Sequence, residues 1–355
     1  MASSRFLGKT AASITPYVPG EQPQDKQYIK LNTNECPYPP APAVSTAFTD
    51  YTDLRLYPDP DVKALSQEMA DYYRLPVNRV FAAAGSDEAL AYIFMAFFSQ
   101  GDKLYYPDIS YGFYSVYAEL LGLCGSTILL KDDFTIAPED YFGLDGNIVI
   151  ANPNAPTGIA LTSAQIEQIL AANPDRLVVI DEAYIDFAPG CSCIGLINKY
   201  DNLIVVQTFS KSRALAGMRI GFAFGQSPLI DGINRIKYSF NPYNLDRVAI
   251  AVGIAAIRER DYLEATVAKI IKNREWTIVQ LKKLGFRVLP SKTNFIFAKV
   301  PNGSGGKLYS ALKEHGILVR HFEKPRTSDY VRITIGTDDE MAALINAIPL
   351  CLEGL

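Results

Sequence analysis

Histidine is almost absent from this 355-residue chain: His315 and His321 are its only two, both near the C-terminus. That argues against a histidine-dependent triad and a multi-histidine metal site, and points to lysine, carboxylate or tyrosine as the proton carrier of any catalysis. Cysteine is sparse as well. Cys36, Cys124, Cys191, Cys193 and Cys351 include no two pairs at zinc-binding spacing, so no metal is expected, and they read as reduced thiols of a cytoplasmic protein. Long apolar runs are missing: the longest, "ALAYIFMAFF" at Ala89–Phe98, has ten residues, too few to cross a bilayer. Charge of one sign is not concentrated either. The 34 basic and 38 acidic residues leave −4 overall, without the basic clustering that a nucleic-acid partner requires. The first twenty residues carry Arg5 and Lys9 and no acid, but their apolar content is too weak for a secretory signal.

Two phosphate-binding signatures are also lacking. "NGSGGKL" at 302–308 ends in Gly-Lys, yet a P-loop needs glycine where Pro301 stands and Ser or Thr where Leu308 stands. No Gly-x-Gly-x-x-Gly follows an expected strand, which disfavours a nicotinamide dehydrogenase.

What is present has a clear order. Residues 1–60 are rich in proline and asparagine, and "NECPYPPAPAV" must run extended or turn. From about Val80, near-continuous apolar strands alternate with helices: "VFAAA", "KLYYP", "NIVIANP", "RLVVID", "NLIVVQTFS" and "RIGFAFG" are the strands. This is the pattern of an α/β protein with a mainly parallel sheet covered on both faces. Beyond about Pro242 a long helical region reaches Leu284, followed by strands and helices that suggest a smaller α+β domain. The expected division is 1–45 as an N-terminal segment packing on the small domain and active site, 46–240 as a large cofactor-binding domain, and 241–355 as a small domain.

Three places carry candidate chemistry. In "AAAGSDEAL" a strand ends, Gly85 and Ser86 turn, and a helix begins near Asp87; the N–H groups of such a helix start can form an anion site, although a plain turn and cap is the better reading of this segment alone. "LVVIDEAY" puts Asp181 at the carboxyl end of a buried strand, where ligands of doubly wound sheets lie, with Tyr184 close along the chain. A buried carboxylate there calls for a cationic partner, and a protonated heterocycle would serve. "TFSKSRALAGMRIGF" delivers Lys211 just past another strand end, with Ser210 and Arg219 able to bind phosphate. Lysine is the residue that links covalently to an aldehyde cofactor. Alone, each is ordinary; together they are the parts needed for pyridoxal 5'-phosphate.

With these motifs, and with "TPYVPGEQP", "LNTNECPYPP", "RLYPDP", "ISYGFYSVYAE", "NPNAPTG", "DEAYIDF", "SKTNFIF" and "VRITIGT" in order, the chain resembles the fold type I aminotransferases, and within them the histidinol-phosphate branch. The resemblance implies a mostly parallel seven-stranded sheet flanked by helices. It implies that Lys211 holds pyridoxal 5'-phosphate as an imine and carries the proton, that Asp181 pairs with the ring nitrogen, that Tyr184 contacts the ring 3-oxygen, and that Tyr111 stacks on the ring. Ser86, Asp87, Ser210 and Arg219 would hold the phosphate. Tyr57 would reach the phosphate of the other subunit, making a homodimer with shared active sites. Tyr17, Arg320 and Arg332 would meet the substrate. The implied reaction moves an amine from histidinol phosphate to 2-oxoglutarate. Rival readings are an aromatic or broad-range aminotransferase, a threonine-phosphate decarboxylase, and a non-catalytic cofactor-binding regulator.

One position departs from the family. Its usual asparagine before the proline of "PTG", a ring 3-oxygen contact, is Ala155 here. Either the neighbouring Asn154 takes over or Tyr184 carries that contact alone; alternation along an extended segment points Asn154 elsewhere. The tight turn at Ala155–Pro156 is a place where a cis bond occurs.

Overall fold

The computed structural model describes residues 4–49, 51–301 and 303–353. In chain order the elements are α1 (Lys9–Ser13), β1 (Ile29–Lys30), α2 (Lys63–Tyr73), β2 (Val80–Ala83), α3 (Ser86–Phe97), β3 (Lys103–Pro107), α4 (Phe113–Leu121), β4 (Cys124–Ile128), β5 (Asn147–Ala151), α5 (Ser163–Ala172), β6 (Val178–Asp181), β7 (Leu203–Thr208), β8 (Gly221–Gly225) and α6 (Ser227–Phe240). They are followed by α7 (Arg247–Arg258), α8 (Arg260–Lys283), β9 (Arg287–Val288), β10 (Phe295–Lys299), α9 (Gly305–Glu314), β11 (Ile317–Leu318), β12 (Arg320–His321), β13 (Tyr330–Thr334) and α10 (Asp338–Glu353).

Seven strands form one sheet in the order β2-β8-β7-β6-β5-β3-β4, in which β8 runs antiparallel to both neighbours and the remaining pairs are parallel. The α/β sheet expected from the apolar runs is therefore present. β6, β7 and β8 are buried along their whole length, which is why they read as unbroken hydrophobic runs. Their side chains still alternate between faces. Val178, Ile180, Leu203 and Val205 enter one core, whereas Val179, Ile204 and Val206 enter the other beside α3 and α4.

The edge strand β4 lies outside the strands read from sequence. Its residues are mostly exposed or half-exposed, so "CGSTI" lacks the apolar signal of its neighbours. The helical region expected to Leu284 is two helices, interrupted at Glu259. The apolar side of α7 (Ala249, Val252, Ala256, Ile257) joins the large core, while Leu263, Val267 and Ile270 of α8 join the small-domain core. By packing, the chain passes from one core to the other at this interruption.

A second, antiparallel sheet has the order β12-β13-β10-β9. The N-terminal segment is tied to the C-terminal part of the chain, because β1 pairs in parallel with β11 through Ile29 and Ile317. Among the described residues, no helix is long and apolar enough to cross a membrane.

Register brings the motifs to one rim. Ala83 of β2 and Thr208 of β7 both pair with Gly221 at the start of antiparallel β8, and Asp181 ends β6 beside Ala151 and Val206. Gly221 admits this approach. A β-carbon there would lie 2.5 Å from the Ser86 nitrogen and closer still to the Gly85 carbonyl carbon. Gly85 itself has φ +88°, and a β-carbon on it would come within 2.6 Å of the Arg219 guanidinium. Substituting Gly221→Ala is expected to force these backbones apart and to cost about 1–3 kcal/mol, the range for overpacking a filled site. A lowered thermal denaturation midpoint, with weaker phosphate binding, is the measurement that checks it.

Candidate active site

A cavity of about 170 Å³ opens at this rim. Lys211, Asp181, Tyr184, Tyr111, Ser86, Asp87, Ser210 and Arg219 all line it. The residues singled out from four separate stretches of sequence therefore share one site.

Asp181 is buried, and burial raises its carboxyl pKa to about 6 despite the hydrogen bond from Tyr114. The Tyr114 hydroxyl donates to Oδ2 at 3.0 Å, and the Ala183 N–H donates to Oδ1 at 3.2 Å. Strand alternation turns Asp181 toward the α4 side of the sheet, where Tyr114 sits fully buried. No cation pairs with this carboxylate among the described residues, so a positive group in the cavity would complete it.

Lys211 faces the cavity with part of its surface accessible, yet protein surrounds it. Burial, then the Arg332 charge, lowers its pKa to about 8. Its Nζ donates to the Thr33 carbonyl at 3.3 Å. Such an amine is neutral far more readily than an exposed lysine, which is the state needed for attack on a carbonyl.

Arg219, Ser210 and the start of α3 meet around Gly85. Arg219 Nη1 approaches Ser210 Oγ at 3.4 Å, and Thr208 donates to the same Oγ at 3.0 Å. These donors with the N-terminus of a twelve-residue helix form an anion seat. The Asp87 side chain is already engaged. Its carboxylate accepts from Arg219 Nη2 at 3.1 Å and from the Tyr111 hydroxyl at 2.9 Å, so only its backbone N–H is suited to a phosphate, while its side chain orients the arginine and the aromatic ring.

Asn154 is not brought to the cavity. Its amide donates to the Ile109 carbonyl at 2.9 Å and to Thr157 at 3.1 Å, and accepts from Ser110 at 2.8 Å. Ala155 lines the cavity in its place. The expectation that Asn154 contacts the cofactor is corrected: alternation turns its side chain away, and three local partners occupy it. The Ala155–Pro156 bond is cis, and so is Asn152–Pro153.

Tyr17 covers the site from the N-terminal segment, its ring 6.0 Å from that of Tyr111 and 4.5 Å from that of Phe113. Arg320 donates to the carbonyls of Val18 and Pro19, both at 3.2 Å, which holds that segment. Arg332 pairs with Arg320 across β12 and β13 and donates to the Asn32 carbonyl at 2.8 Å, while its buried Nε has no partner among the described residues. Tyr57 is not in this chain's cavity. It is 75% exposed and stacks on Tyr243 at 4.4 Å, with Arg247 donating to its carbonyl at 2.9 Å.

The cavity thus offers a lysine amine, a buried acid lacking a cation, and an anion seat. This donor set fits a phosphorylated aldehyde of a basic heterocycle. A sequence model of "Aminotransferase class I and II" matches residues 26–348. The chain belongs to the class I and II aminotransferases. It is 55% identical over 350 residues to a histidinol-phosphate aminotransferase of Brachyspira hyodysenteriae, covering 98% of this chain and 99% of that one. It is 52% identical to the protein of that name from Acinetobacter baylyi, with 98% of each chain covered. The fold of this aminotransferase is also that of the histidinol-phosphate aminotransferase from Sinorhizobium meliloti, solved in complex with pyridoxal-5'-phosphate, with TM-score 0.91, 24% identity and 99% of each chain covered.

Sequence reasoning missed Tyr114, Thr33 and Asn34. The first lay inside the quoted "ISYGFYSVYAE" and the others inside "LNTNECPYPP", but nothing local distinguishes Tyr114 from the tyrosines around it.

The lowered Lys211 pKa makes a stability prediction for the cofactor-free protein. Between pH 8 and 10.5 the unfolded chain binds this proton and the folded chain does not, so the Lys211 contribution makes folding more favourable as pH rises through that window. Tyrosines titrate nearby, so the test is a difference. Denaturant unfolding of wild type minus Lys211→Met should show stability rising toward pH 10.5, and a flat difference contradicts it.

Proposed function

We propose that the cavity holds pyridoxal 5'-phosphate and that the enzyme transfers the amino group of histidinol phosphate to 2-oxoglutarate. The observation that carries the reading is the meeting of Lys211, Asp181 and the Ser210–Arg219–α3 anion seat in one cavity. Bound there, the cofactor supplies an electron sink for the bond broken at the substrate carbon. Lys211 would anchor it through Nζ, and the same nitrogen would hold and move the proton of the reaction. The burial that lowers its pKa in the cofactor-free protein favours the neutral amine, the form that can take a proton. Asp181 would accept a hydrogen bond from a protonated ring nitrogen, and a cation beside it would keep the carboxylate ionised. Tyr111 supplies a stacking face, and Tyr184 a hydroxyl at the ring oxygen.

Substrate choice is supported by the arginine pair. Arg320 and Arg332 are cross-strand neighbours, and each donates to carbonyls rather than to a carboxylate. Two adjacent guanidiniums favour a multiply charged anion such as a phosphate ester, and one fork also serves the carboxylate of 2-oxoglutarate. The names of the curated relatives point to the same donor. In this reading the large domain carries the cofactor, while the small domain and N-terminal segment close over the substrate.

A homodimer with shared sites fits the placement of Tyr57. Leu54, Leu56, Tyr57, Tyr238, Phe240 and Tyr243 are all exposed, more clustered apolar surface than single scattered residues leave. In the dimer Tyr57 would leave its own subunit to meet the other's phosphate. The enzyme works in the cytoplasm.

Lys211→Ala is expected to lose the visible absorbance of the bound cofactor and to lower turnover by at least ~100-fold, the scale of removing a positioned acid–base group; ordinary turnover would sink the assignment. Asp181→Asn should keep the absorbance and slow the proton-transfer half-reaction by about 100-fold. Single-turnover rates with histidinol phosphate, phenylalanine and threonine phosphate decide the donor. Histidinol phosphate should be fastest, and preference for either competitor supports the corresponding rival.

A further inference from the structure

The loop that should supply an amide to the cavity supplies a methyl group, Ala155. Another amide is nearby. Asn34, buried in the N-terminal segment, donates from Nδ2 to the Tyr184 oxygen at 2.9 Å. Its orientation follows from its other partners. The Asn34 N–H donates to Thr334 Oγ1 at 3.0 Å, which frees the threonine hydrogen to donate to Asn34 Oδ1 at 3.1 Å. That leaves Nδ2 as the atom facing Tyr184. The Asn34 carbonyl accepts from Asn294 Nδ2 at 2.9 Å, and its φ of +59° is a left-handed conformation that asparagine tolerates. Thr334 ends β13 and Asn294 directly precedes β10, so the small domain sets the position of this amide.

A phenol has one hydrogen to give and lone pairs to receive. With a lone pair occupied by Asn34, the Tyr184 O–H remains available to the cavity that Tyr184 lines. We infer that Asn34 is a positioning residue: it directs the Tyr184 hydroxyl toward the cofactor's ring oxygen, makes up for the amide absent at Ala155, and ties that hydroxyl to the small domain through Thr334 and Asn294.

The inference rests on the proposed cofactor site, and the test separates the two. The holoenzyme is titrated with pH while the visible band of the lysine-linked cofactor is followed. A hydrogen bond donated to the ring oxygen favours the form in which that oxygen carries its full negative charge, the deprotonated one. Losing the donor therefore moves the midpoint upward. Asn34→Gly retains the left-handed backbone without adding charge. It should raise the midpoint by up to about one pH unit, the scale of one hydrogen bond to a charged group. Tyr184→Phe should raise it at least as far, and adding Asn34→Gly to Tyr184→Phe should add nothing. Ala155→Asn on the Asn34→Gly background should bring the midpoint back toward wild type. Thr334→Val, which removes the hydroxyl that holds Asn34, gives a second reading of the same link if Asn34→Gly does not fold. An unchanged midpoint in Asn34→Gly, or an equal shift with and without the Tyr184 hydroxyl, overturns the positioning role. No return with Ala155→Asn overturns the compensation. Absence of any visible band in wild type with pyridoxal phosphate instead refutes the cofactor reading itself.

Discussion

An amine and a carboxylate share a small cavity in this protein, and neither is the other's ion-pair partner. Lys211 rests on a backbone carbonyl, and Asp181 is held by a tyrosine hydroxyl and a backbone N–H. Removal from water opposes the charged form of both, lowering the lysine pKa and raising that of the acid. Two such groups are costly to keep in a fold unless something that enters the cavity satisfies them. A ring cation would answer the acid and a carbonyl the amine, so the electrostatic cost of burying the two groups is also the source of their selectivity.

The backbone at the rim makes that arrangement possible. Because β8 runs against its neighbours, it starts at the same rim where β2, β6 and β7 end, bringing Arg219 to the helix start after Gly85. Gly221 and Gly85 let the two backbones and a guanidinium share a space that side chains would fill. Asp87 then restrains the arginine from one oxygen and Tyr111 from the other, linking the anion seat to an aromatic wall of the cavity.

The N-terminal segment is more than a cover. Its strand β1 pairs with β11, its carbonyls hold Arg320, Arg332 and Lys211, and Asn34 touches Tyr184. Through these contacts the second sheet reaches the cavity, although none of its described residues lines it.

Much of this was legible in the chain. Buried parallel strands announce themselves as apolar runs, and a strand end is where a ligand-facing residue sits, so Asp181, Lys211, Ser86 and Arg219 could be named from local pattern. β4 could not, because an exposed edge strand has little apolar signal to read. Nor could Tyr114 or Asn34, whose roles come from partners 67 and 150 residues away. Local sequence determined the strands, the rim motifs and the substitution of alanine at 155, because propensity and periodicity act over a few residues. Only the tertiary structure decided that the amide of Asn154 is occupied elsewhere and that Asn34 faces Tyr184, because a hydrogen-bond partner is chosen by what packing brings within about 3 Å, whatever its distance along the chain.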